Sequence, residues 1–161
     1  MIVIIMGVVG AGKTTVGSLL ARQQHWEFAD ADDFHPASNI EKIRQGIPLT
    51  DADREPWLEQ LRQAVADWIA AKKNVVLACS ALKRTYRQKL ALGPEVRFVY
   101  LKGSTALIAS RLHARHGHFA GESILASQVA DLEEPESAII VDITRTPSQL
   151  VEDIRKQLRL G

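Results

Sequence analysis

The 161 residues amount to one ordinary domain, long enough to bury roughly 69% of the unfolded chain's surface without disulfides or a structural metal. Hydrophobic residues make up 46% and charged residues 24%, which excludes an intrinsically disordered chain. With 20 Lys and Arg against 19 Asp and Glu, the net charge of +1 excludes the broad basic field of a nucleic-acid or anionic-membrane binder.

No segment approaches the roughly 20 apolar residues that span a bilayer. The opening run Met1–Met6 is too short for a signal-peptide core, with no basic stretch before it and no cleavage pattern after it. The lone cysteine, Cys79, has no internal partner and fits a reducing compartment, so a cytoplasmic location is expected. No repeat, low-complexity tract or linker divides the chain, and residues 1–161 read as a single domain.

Short apolar runs predict strands at Met1–Met6, Glu27–Ala29, Asn74–Cys79, Val96–Leu101 and Ala138–Asp142. Between the second and third, Trp57, Leu58, Leu61, Val65, Trp68 and Ile69 share one helical face, with Thr50, Asp53 and Pro56 as start signals. Leu150, Val151, Ile154 and Leu158 form a second stripe after Pro147. Almost wholly apolar strands alternating with helices predict a three-layer α/β sandwich with about five parallel strands. Ligands of such sheets bind beyond the carboxyl ends of the strands, so functional residues are expected just after each one.

Directly after the first strand stands Gly7-Val8-Val9-Gly10-Ala11-Gly12-Lys13-Thr14, a full G-x-x-x-x-G-K-[ST] match between strand and helix. Glycines let several backbone N–H groups turn inward on phosphate oxygens, and the next helix adds its positive dipole end. The stretch Gly7 to Thr15 is therefore expected to bind a nucleoside triphosphate, with Lys13 reaching the β- and γ-phosphates and the Thr14 hydroxyl on Mg²⁺. No N-K-x-D guanine-reading motif occurs, which disfavours a GTPase.

After the second strand comes Asp30-Ala31-Asp32-Asp33-Phe34-His35-Pro36. If the chain stays extended, Asp30 and Asp32 project to one side. One carboxylate then orients Mg²⁺ and its waters while the other takes a hydroxyl proton. An acidic loop capping the helix near Ser38 is the competing reading.

At this point the sequence resembles the gluconokinases, small sugar-acid kinases related to the shikimate and nucleoside-monophosphate kinases. The resemblance runs through Asp30-x-Asp32, His35-Pro36, Asn39-Ile40-Glu41-Lys42 and Gly46-x-Pro48-Leu49-Thr50-Asp51-x-Asp53-Arg54-x-Pro56-Trp57-Leu58. It continues with Cys79-Ser80-Ala81-Leu82-Lys83-Arg84-x-Tyr86-Arg87, Tyr100-Leu101-Lys102-Gly103, Gly117-His118-Phe119, Ser127-Gln128 and Leu132-Glu133-x-Pro135. Departures from the family pattern are Val9 and Ala11 in place of Ser, Ala31 in place of Gly, and His116 in place of Lys. The resemblance implies a three-layer α/β/α P-loop kinase fold, a substrate-binding segment over about 35–60 and a mobile lid over about 113–125. It also implies ATP- and Mg²⁺-dependent phosphorylation of the 6-hydroxyl of D-gluconate, and a homodimer. A kinase of another small hydroxylated acid and a non-catalytic ATP-binding regulator are the alternatives; the set Lys13, Thr14 and Asp32 disfavours the regulator.

Gluconate is a carboxylate with a chain of hydroxyls, and Arg54 is the leading anchor because a guanidinium binds a carboxylate through parallel hydrogen bonds. A surface pairing of Arg54 with Asp51 or Glu55 is its alternative. Lys83 after the third strand is a candidate for sugar hydroxyls or phosphate, against a solvated face with Arg84, and His35 for a substrate hydroxyl, against a structural histidine before Pro36. Asp32 is the expected proton acceptor, and Asp30 joins Thr14 as the metal side. Arg111 and Arg115 lie one helical turn apart. The resemblance implies Arg111 near the nucleotide and Arg115 stabilising charge during transfer, while an exposed basic face is the alternative. His113, His116 and His118 lack a supporting cysteine and argue little for a metal site. Cys79 reads as a packing residue rather than a nucleophile.

Overall fold

Five apolar residues in succession, Ile2 to Met6, have no polar side to offer water, and they form the fully buried central strand of a parallel sheet. The protein is described by a computed structural model over residues 1–116 and 122–161. In chain order the elements are β1 (Ile2–Met6), α1 (Lys13–Gln24), β2 (Glu27–Asp30), a 3₁₀ turn (Ala31–Phe34), α2 (Ala37–Arg44) and α3 (Asp51–Ala70). They continue with β3 (Val75–Ala78), α4 (Arg84–Leu90), β4 (Val96–Lys102), α5 (Thr105–His116), α6 (Glu122–Asp131), β5 (Ile139–Asp142) and α7 (Pro147–Leu158). Each strand lies within one residue of its predicted bounds.

The sheet order is β2-β3-β1-β4-β5, all pairs parallel, with Ile4 opposite Leu77 on one side and Phe98 on the other. Alternate β1 residues face opposite layers. Val3 and Ile5 pack with Val16 and Leu20 of α1 and with Leu150 and Ile154 of α7. Ile2, Ile4 and Met6 pack with Trp57, Leu61 and Val65 of α3 and with Leu90 of α4. The three-layer α/β/α expectation is met. The loop after β1 lies between the branches of the sheet leading to β3 and β4, the crevice position for a ligand.

Of the predicted α3 stripe, Trp57, Leu58, Leu61 and Val65 are buried, while Trp68 and Ile69 are half-buried. The helix starts on a reciprocal cap. Thr50 Oγ1 accepts from the Asp53 N–H at 3.1 Å, and Asp53 Oδ2 accepts from the Thr50 N–H at 2.9 Å. Pro56 is not part of that start: it sits inside the helix, where it supplies no N–H to the Ala52 carbonyl, and both residues are exposed to water. Among the described residues no helix is long and apolar enough to cross a membrane. The lid expected over about 113–125 falls partly on residues 117–121, outside the described residues.

Candidate phosphoryl-transfer site

Backbone conformation builds the loop between β1 and α1. Gly10 (φ 81°) and Gly12 (φ 102°) occupy the left-handed region, and a Cβ at Gly10 would stand 2.8 Å from the Leu112 side chain. Gly12 caps α1, so the first N–H groups of that helix open toward the cleft. Lys13 folds back, its Nζ donating to the Val8 carbonyl at 3.1 Å, and the Val9 N–H donates to Gln128 Oε1 at 2.7 Å. Burial pushes the Lys13 ammonium pKa down, partly offset by the charges of Asp32 and Asp30.

The acidic pair is brought to this loop by a turn. The chain does not stay extended after Asp30, as the side-by-side projection supposed; Asp30 caps the 3₁₀ turn, its Oδ1 accepting from the Asp32 N–H at 2.9 Å. The cap therefore belongs to this turn, and not to the helix near Ser38. Trp57 Nε1 pins the turn by donating to the Ala31 carbonyl at 2.7 Å. Thr14 Oγ1 lies 3.4 Å from Asp30 Oδ2 and donates to it. Asp32 is open to solvent at the cleft, yet partial desolvation there, then the neighbouring Asp30 charge, raise its pKa, with Lys13 opposing. Among the described residues no three His, Cys, Asp or Glu side chains cluster as a self-sufficient metal site. Thr14 and Asp30 are hard oxygen donors of the kind Mg²⁺ uses when phosphates supply further ligands.

A cleft of about 260 Å³ joins these groups. Its lining holds Val9, Gly10, Gly12, Lys13, Thr14, Thr15, Asp30, Asp32, His35, Arg54 and Arg115 among the predicted site residues. Arg54 is buried, yet neither of its anticipated surface partners holds it: NH1 donates to Asp131 Oδ2 and to the Tyr86 hydroxyl, both at 3.0 Å. The Tyr86 hydroxyl donates in turn to Asp51 Oδ1. The ring of His35 stacks on Trp57 at 4.5 Å between centroids. Burial, with Arg54 nearby, pushes its pKa down to about 4, so the ring is neutral at pH 7. Because Asn39 Nδ2 can only donate, His35 Nδ1 accepts from it at 3.2 Å and the ring proton resides on Nε2.

Not every predicted residue reaches this cleft. Lys83 lies outside its lining, held to Asp51 at 2.8 and 3.0 Å. Gly7 and Val8 are buried beneath the loop. Ala11 and Arg111 line a neighbouring hollow of about 270 Å³ together with Arg145 and Pro147, and Arg115 borders both spaces. Arg111 is held there by the Ile143 carbonyl, 2.6 Å from NH2. His113 is exposed on α5, while the His116 side chain and His118 lie outside the described residues. Cys79 is fully buried, which pushes its thiol up to about 12 and leaves no reactive thiolate.

Residues not singled out as site residues also line the cleft: Ile43, Pro48, Leu49 and Trp57 within the expected substrate segment, and Ser127 and Gln128 outside it. Ser127-Gln128 and Tyr86 stand inside the segments that carry the family resemblance, and that was their only signal. Asp131 has none, because its pairing with Arg54 spans 77 residues of sequence.

Known proteins resemble this chain in sequence and fold. Residues 2–135 match the family described as "AAA domain". The chain is 44% identical to a probable gluconokinase of Xenopus tropicalis, over 98% of this chain and 93% of that one. A sugar kinase from a Janibacter species superposes with a TM-score of 0.90 at 43% identity, covering 99% of this chain and 95% of that one. A gluconokinase of Sinorhizobium meliloti does so with a TM-score of 0.84 at 40% identity, covering 94% and 87%. Phosphate loop, paired carboxylates and near-full-length likeness agree: the chain belongs to the gluconokinase family of P-loop kinases.

Proposed function

We propose that this protein transfers the γ-phosphoryl group of ATP to the 6-hydroxyl of D-gluconate, giving 6-phospho-D-gluconate and ADP. The observation that carries the proposal is one cleft in which the phosphate loop and Lys13 face Asp30, Asp32, His35 and the buried Arg54. The triphosphate lies over Gly7 to Thr15, and the nucleoside occupies the adjoining hollow beside Arg111 and Pro147. Mg²⁺, held by Thr14 and Asp30, neutralises phosphate charge when bound. Lys13 and Arg115 stabilise charge on the transferring group.

Asp32 orients the acceptor hydroxyl and takes its proton as the new phosphorus–oxygen bond forms and the bond to ADP breaks. Its raised pKa favours that proton transfer. The His35 Nε2–H donates to a substrate hydroxyl, and Arg54 binds the carboxylate with guanidinium positions other than the occupied NH1. Lys83 acts at one remove, fixing Asp51 and through it Tyr86 beside Arg54. The segment 35–60 closes the substrate side. A homodimer in the cytoplasm is the setting the gluconokinase resemblance supports, and light scattering checks the dimer.

The test is coupled ADP release with and without a panel of sugar acids. Gluconate-dependent release is expected. Preference for another hydroxylated acid would move the acceptor assignment, and acceptor-independent release would replace the kinase reading with an ATPase.

A further inference from the structure

One peptide of the phosphate loop is gripped from both sides. The carbonyl of the Val8–Val9 peptide accepts from Lys13 Nζ at 3.1 Å, and its N–H donates to Gln128 Oε1 at 2.7 Å. In a trans peptide these two groups point in opposite directions, so Lys13 and Gln128 clamp a single plane between them. Gln128 comes from α6, 119 residues away in sequence. On that helix Ile124, Ser127, Gln128 and Asp131 follow the i, i+3, i+4, i+7 spacing of one face, and the first three line the cleft. The same helix reaches the acceptor side at both ends, through Ser123 Oγ to the Gly46 carbonyl at 3.1 Å and through Asp131 to Arg54.

We propose that Gln128 is a positioning residue for phosphoryl transfer: by holding the Val9 N–H it fixes the Val8–Val9 peptide, and through that carbonyl it places the Lys13 ammonium. The proposal rests on the reading of Gly7 to Thr15 as the triphosphate cradle. A neutral carboxamide suits the task. It accepts from the amide without adding a third negative charge beside Asp30 and Asp32, where a polyanion must bind. Without that acceptor the peptide plane is free to rotate, and the Lys13 perch rotates with it. A shift of the reacting groups by a fraction of an ångström is enough to slow transfer.

Two variants test this, Gln128→Leu, which removes the acceptor, and Gln128→Glu, which keeps it. Amide exchange at Val9, read by NMR on nucleotide-free protein, is expected to quicken about tenfold or more in Gln128→Leu and to stay slow in Gln128→Glu. In Gln128→Leu, kcat is expected to fall about tenfold while the gluconate KM stays within about twofold. Unchanged Val9 exchange in Gln128→Leu, or faster exchange with wild-type kcat, overturns the proposal. If Gln128→Leu does not fold, lost Val9 protection in folded Gln128→Glu overturns it and retained protection supports it. The exchange experiment needs no acceptor, so a failure of gluconate as substrate would show separately, as absent turnover in the wild type. In that event ATP affinity by calorimetry replaces kcat: about tenfold weakening in Gln128→Leu supports the proposal, and unchanged affinity overturns it.

Discussion

Replacing Arg54 with alanine is expected to remove a structural ion pair and the proposed substrate anchor at once, and a second substitution separates the two. The side chain is 8% exposed and its NH1 donates to both Asp131 and Tyr86 at 3.0 Å. Breaking a buried ion pair costs about 3–5 kcal/mol. The Asp131 side chain keeps 27% of its exposure and can be rehydrated, which places the cost at about 3 kcal/mol. For a domain of this length that lowers the melting temperature by roughly 6–12 °C. Loss of the proposed charge-assisted bond to the gluconate carboxylate, worth about 1.5–3 kcal/mol, is expected to raise the gluconate KM about 10- to 150-fold with little change in the ATP KM. Asp131→Asn costs stability too, but leaves the Arg54 charge unneutralised by protein, so the gluconate KM is expected to hold or fall. Steady-state kinetics of both variants, alongside thermal melts, decide the matter. Equal loss for both substrates in Arg54→Ala, or a gluconate KM that rises as far in Asp131→Asn, would refute the anchor and leave Arg54 as architecture.

Lys13→Ala is expected to stay folded by circular dichroism and to lose nearly all phosphoryl transfer, because no other group supplies a charge from within the loop. Asp32→Asn should lower kcat by roughly 10²–10⁴-fold with ATP affinity by calorimetry largely retained. The same variant should melt higher at neutral pH. The folded-state pKa of Asp32 is raised, so its favourable contribution exists below the unfolded value of 3.8 and is lost as pH rises through the folded one. The stabilisation by Asn therefore shrinks toward low pH, and a variant that melts lower at neutral pH would contradict the charge balance described for the cleft. His35 runs the other way: its pKa falls from 6.5 to about 4 on folding, so its contribution is present above pH 6.5 and lost as pH drops toward 4. His35→Phe keeps a ring on Trp57 and should flatten that part of the stability–pH curve, as melts across the window will show.

What could be read in advance was local. The unbroken run Ile2 to Met6 marks a strand buried on both faces, and the 3.6-residue stripe from Trp57 to Ile69 marks α3. The phosphate loop carries its own signature because its fixed glycines, Gly7 and Gly12, both take up positive φ, and Gly10 at a variable position does the same. The proximity of Asp30 and Asp32 was legible but its cause was not: a 3₁₀ turn pinned by Trp57 depends on where α3 packs. Lys83 shows the same limit. It follows a strand end as site residues do, yet α3 presents Asp51 to it and holds it outside the cleft lining. The bonds Arg54–Asp131 and Val9–Gln128 connect residues 77 and 119 positions apart, and only the placement of α6 along the cleft decides them. Periodicity names a helix and its buried face, but not which neighbour each polar side chain meets.

The most direct measurement combines gluconate-dependent ADP release with NMR location of the phosphate on the product. Release that requires gluconate, with phosphorus bonded to the oxygen at carbon 6, is the predicted result. Phosphate on another carbon, or ADP release indifferent to gluconate, would contradict the account of the cleft.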